Sequence, residues 1–156
     1  MNSRLAPCAY LVAFLLIAIP MFDASMSVAP WVPGDPQWRF GAIGLISNAL
    51  MIPAAGMLIA VVAAMTFGHL TFLRVLRILC WIGSLGIMLA VILFALDALQ
   101  TRNAIRPQMQ LSYNVASLTA AFKLLLGAAT FLLFARACNP EVAGPSRARK
   151  SGTPRQ

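Results

Sequence analysis

Apolar residues in this chain come in long blocks, separated by short stretches that hold nearly all of the charge. Neither the two-residue alternation of a half-buried strand nor the three-and-four-residue stripe of a surface helix dominates them, so the pattern points to helices dissolved in lipid. Four blocks qualify, at about 7–22, 40–67, 78–98 and 115–135. The expected fold is therefore all-α: an integral membrane helical bundle of four transmembrane helices within residues 1–138. The first block is short and holds Pro20, which predicts that its helix ends there. The second is long enough to tilt and holds Pro53, which lacks a backbone donor and predicts a kink that neighbouring helices must satisfy.

The first block also has a second reading. Arg4, the apolar stretch from Ala9 to Ile19, and the small residues Ala24, Ser25 and Ser27 resemble a secretory signal peptide. Cleavage after Ser27 would leave three spans; a retained helix is the preferred reading. Next, Pro30, Pro33, Gly34 and Pro36 predict an extended, turning connection. Trp31 and Trp38 anchor it at the outer headgroup layer, and Trp81 serves the inner one. Residues 139–156, rich in Pro, Ser, Gly and basic side chains, predict a disordered basic cytoplasmic tail. Its Arg147, Arg149 and Lys150 can touch anionic lipid at roughly 1 kcal/mol per charge.

Composition strengthens the membrane reading. Hydrophobic residues make up 60% of the chain and charged ones 10%, and the mean hydropathy is +0.82. So few polar residues cannot cover a soluble core. The net charge of +8 does not signal nucleic acid, because the basic residues sit at segment ends and in the tail, without aromatic interleaving. They set orientation instead. One side carries Arg4, Arg74, Arg77, Arg136, Arg147, Arg149, Lys150 and Arg155, and the other Arg39, Arg102 and Arg106 beside Asp23 and Asp35. The basic side should be cytoplasmic, placing the chain in the inner (plasma) membrane with both termini inside. Signal cleavage would leave the other three spans pointing the same way.

Chemistry has one clear foothold. Lys123 breaks an otherwise uncharged span, eight residues in from Val115, which is about 12 Å along a helix and near the middle of the hydrocarbon. An ammonium there costs at least about 2.5 kcal/mol unless it finds a partner, water or the interface. Asn48 lies equally deep from Phe40 and is the expected hydrogen-bond acceptor, with Thr119 or a backbone carbonyl as a second. Asp97 is the only carboxylate near a span and a possible ion-pair partner, although it sits toward the outer end. Small residues suggest where helices approach: Gly41 and Gly44 beside Asn48, Gly56 on another face of the second span, Gly83 and Gly86 on the third, and Gly127 on the fourth. Thr119, Lys123 and Gly127 share a stripe, which predicts that Lys123 faces the bundle interior.

The remaining candidates are weak. One histidine, His69, cannot build a zinc or haem site, and Cys8, Cys80 and Cys138 lack metal-ligand spacing. No metal or other cofactor is expected. With four acidic residues and no phosphate loop or serine–histidine arrangement, no catalytic residue is expected either, and an enzyme is the least favoured class. The size matches small multidrug transporters and glutathione-linked membrane enzymes, but the glutamates those families use are missing, since Glu141 is the sole glutamate. The expected role is an accessory or scaffold subunit packing, within the lipid bilayer, against itself as a homo-oligomer or against a larger membrane protein. The alternative is an oligomeric transporter or channel component with Lys123 lining an anion- or proton-sensitive path.

Overall fold

The computed structural model describes residues 5–102 and 105–139. The chain folds as an all-α bundle: α1 (Leu5–Ser27), α2 (Pro36–Ala49), α3 (Met51–Phe67), α4 (Leu70–Arg102), a 3-10 turn (Pro107–Met109) and α5 (Gln110–Ala137). Among the described residues, three helices, α1, α4 and α5, are each long and apolar enough to cross a membrane, and α2 with α3 passes the same test as a pair bent by 45°. The expected basic tail at 139–156 lies, beyond Asn139, outside the described residues.

The first span is longer than expected. Pro20 lies inside a continuous 23-residue helix rather than at its end. Losing one backbone bond does not stop a helix whose surroundings offer no other partner for the remaining donors. The Ser25 and Ser27 hydroxyls donate back to the carbonyls of Met21 and Asp23, at 2.8 Å each, tying the last turns to their own helix.

The second span breaks at Leu50, three residues before Pro53. Proline cannot donate to the carbonyl of Ala49, so the ladder is interrupted where α2 meets α3. Asp35 caps α2 by accepting the Gln37 backbone N–H at 2.9 Å, and Pro36 occupies the first turn, where its missing donor costs nothing. The Trp38 indole N–H donates to the Val28 carbonyl at 3.0 Å, pinning the start of α2 to the end of α1. At the far end, the Tyr10 hydroxyl meets His69 Nδ1 at 2.8 Å, just past α3. The bent pair therefore runs the full length of α1 and does not return to the side it entered.

Gly68, with φ of 72°, closes α3 in the left-handed conformation and turns the chain into α4. At 33 residues, α4 is about 50 Å long, well over the roughly 30 Å of a hydrocarbon layer. That is why Arg74 and Arg77 lie on the helix rather than in a loop. Helices α4 and α5 pair along their length, and α1 pairs with α3. The buried cluster sits toward the Tyr10–His69 end and joins Ala13, Met57, Ala64, Leu76, Cys80, Ala135 and Cys138. Elsewhere the outer surface is apolar, with Leu85, Leu111 and Leu118 each more than 70% exposed, as a lipid-facing surface requires.

Candidate functional site

Helices α2 and α5 bring Lys123 and Asn48 together: the ammonium Nζ donates to Asn48 Oδ1 at 2.7 Å. The depth match between the two spans thus corresponds to a direct contact. The expected direction does not hold, because both side chains are exposed on the outer face of the bundle instead of enclosed in it. The reason is the small-residue stripe of α5, which splits along its length. Gly127, farther along, faces the interior, where an added Cβ would run into the Leu50 side chain. Ala116, Thr119, Ala120 and Lys123 instead line a lateral groove of about 570 Å³, with Phe40, Gly41, Gly44, Leu45, Ser47, Asn48 and Phe94 opposite.

Thr119 lines the groove but donates its hydroxyl to its own helix, at the Val115 carbonyl, 2.8 Å away. Ser47 does likewise toward Gly44 at 2.7 Å. The glycines divide into two groups. A Cβ on Gly56 would meet the Ala13 carbonyl at 2.9 Å, and one on Gly83 would meet the Phe131 ring at 3.0 Å, so these positions permit close helix contact. Gly41, Gly44 and Gly86 have open space where a Cβ would go, and within this chain they bring no helices together.

Asp97 does not pair with Lys123. Its carboxylate takes a two-pronged hydrogen bond from Arg39, Nε to Oδ2 at 3.0 Å and Nη2 to Oδ1 at 2.7 Å. Arg39 Nη1 donates to the Pro33 carbonyl at 3.0 Å. Asp97 is 1% exposed, and the planar guanidinium fork matches a carboxylate that has lost its water. Beside this pair, the Phe40 ring is stacked between Phe94, 4.8 Å away, and Tyr113, 5.0 Å away. The Tyr113 hydroxyl donates to the Ala98 carbonyl at 3.0 Å and meets the Thr101 hydroxyl at 2.6 Å. Arg39, Asp97, Thr101 and Tyr113 thus tie α2, α4 and α5 together at one end of the bundle. Sequence reasoning missed Arg39 as a partner because it was assigned to the charge count of its side. Opposite charges at similar depth near the same membrane end were the available signal.

The other singled-out groups have structural settings. His69 stacks on Tyr10 at the opposite end, with ring centroids 5.7 Å apart. Cys80 and Cys138 are buried in the main cluster, so neither thiol is open to the surface. Arg77 Nη1 donates to Asn139 Oδ1 at 3.2 Å, closing that end of the α4–α5 pair. Among the described residues, no group of three or more His, Cys, Asp or Glu side chains is placed to hold a metal.

No family model, curated protein or solved structure matches this chain.

Proposed function

We propose that this protein is an accessory or scaffold subunit of the inner membrane, associating with another transmembrane segment through the groove between α2 and α5. One observation supports the reading most: an ammonium at mid-span depth, hydrogen-bonded to Asn48 and facing out of the bundle. Left against lipid tails, such a group costs at least about 2.5 kcal/mol. A long lysine side chain normally escapes by reaching toward the headgroups. Here it is held at its own depth by Asn48, so covering the groove with protein is the route that removes the cost. The α2 wall of the groove, at Gly41 and Gly44, offers open backbone for a close approach.

The distribution of Lys and Arg supports an orientation with both termini in the cytoplasm. The transport alternative also passes through association, because a groove open along one side becomes a path only when another chain closes it.

Photo-cross-linking in intact membranes tests the proposal. A photoreactive residue replacing Ala116, within the groove, is expected to give protein adducts. The same residue at Leu58, on a separate exposed surface of α3, is expected to give lipid adducts. Lipid adducts alone from both positions would reject the association reading.

A further inference from the structure

We infer that the occupant of the α2–α5 groove is a transmembrane helix of a different protein, carrying an aspartate or glutamate at mid-membrane depth opposite Lys123. The inference rests on the association reading and adds the identity of the partner's key group. Lysine has three N–H donors, and Asn48 accepts from Lys123 at 2.7 Å. A cation in a nonpolar layer is best completed by an anion, which neutralises it and accepts its remaining donors.

A second copy of this chain supplies no such anion. The acidic residues are Asp23, Asp35, Asp97 and Glu141. Asp97 is 1% exposed and already bound by Arg39. Asp35 caps the start of α2, and Asp23 lies within two turns of the end of α1, both at the Trp31–Trp38 end. Glu141 follows the end of α5 in sequence. Two copies meeting symmetrically through this groove would set one ammonium against the other. Nor does a lipid phosphate fit, because headgroups lie outside the hydrocarbon, roughly 12 Å along the span from Lys123. The groove also has the form of a helix seat. Gly41 and Gly44 leave open space on one wall, Ala116 and Ala120 line the other, and Phe40 and Phe94 flank it.

The test uses the full chain in phosphatidylcholine vesicles with a synthetic Leu/Ala helix of about 20 residues, bearing a central Glu or, as control, a central Gln. Association is read by fluorescence energy transfer. The Glu helix is expected to bind about tenfold or more tightly than the Gln helix, the scale of one charge-assisted hydrogen bond. Lys123→Met should reduce the Glu helix to the Gln level, and Lys123→Arg should retain the preference. Gly44→Leu, which fills the groove and leaves the charge in place, should also abolish it. Thermal melts of each variant establish that the fold is intact. Equal binding of the two helices, or a Glu preference that survives Lys123→Met, overturns the inference. Adducts from position 116 to a second copy of this chain would overturn the different-protein occupant and leave the association reading standing; adducts to lipid alone would remove both.

Discussion

At the scale of single residues, two cations near or within the spans meet different fates. Arg39 has a buried carboxylate, Asp97, on a fork of two hydrogen bonds. Lys123 has a neutral amide on an open face. The Arg39 pair is expected to behave as a unit. Arg39→Met strands a carboxylate that is 1% exposed and should destabilise the bundle more than Arg39→Lys, which keeps the charge but loses the fork. Adding Asp97→Leu to Arg39→Met should recover at least half of that loss, because no uncompensated charge remains. Thermal unfolding in detergent micelles checks the order; additive losses in the double variant would show that the pair is not coupled. The pairing of Lys123 with Asn48 was legible in the sequence, because depth along a span is a matter of counting residues. The pairing of Asp97 with Arg39 was harder to read, since Arg39 precedes the apolar block and only the Asp35 cap, which starts the helix at Pro36, brings it onto α2.

At the scale of helices, position along the chain was easier to read than direction. The four apolar blocks correspond to α1, the α2–α3 pair, α4 and α5, and Pro53 marked the bend. The ends were missed where a helix continues past the hydrocarbon, as α4 does through Arg74 and Arg77, or through a proline, as α1 does at Pro20. Glycines show the limit most clearly, since a small residue looks the same in sequence whether its face is packed or open. Gly56→Val is expected to cost about 1–3 kcal/mol by overpacking, because its side chain meets the backbone of α1 at Ala13. Gly44→Ala, with nothing near its Cβ position, should leave the unfolding midpoint unchanged or slightly raised. A comparable loss at both positions would contradict the packed-versus-open division. The bend carries its own expectation. Pro53→Ala restores a donor for the Ala49 carbonyl and should reduce the 45° angle. Spin-label distances between the ends of α2 and α3 should lengthen as the pair straightens. Because Asn48 lies two residues before the break, straightening should also displace it from Lys123.

At the scale of the whole molecule, the competing fates of the first segment become a question of packing. A cleaved signal leaves no structural role behind, whereas α1 fills one. Gly56 lies against Ala13, Leu16 and Ile17, Ala13 and Ala64 are 2% and 0% exposed within the main cluster, and Tyr10 bonds His69 beyond α3. Without α1, the small-residue face of α3 would turn from helix contact to lipid and lose the close dispersion contacts that hold helices together in a membrane. The intact mass of the purified chain is therefore expected to include residues 1–27. A chain expressed without residues 5–27 should accumulate poorly and melt at lower temperature than the whole. Reporter fusions add an independent reading. The Tyr10 end of α1 and the Ala135–Cys138 end of α5 belong to the same end of the bundle, so fusions at the two termini should report the same compartment. Positive charge predicts that compartment to be the cytoplasm. A mature mass beginning after Ser27, in a bundle as stable as the full chain, would show that α3 does not need its partner and would return the count to three spans.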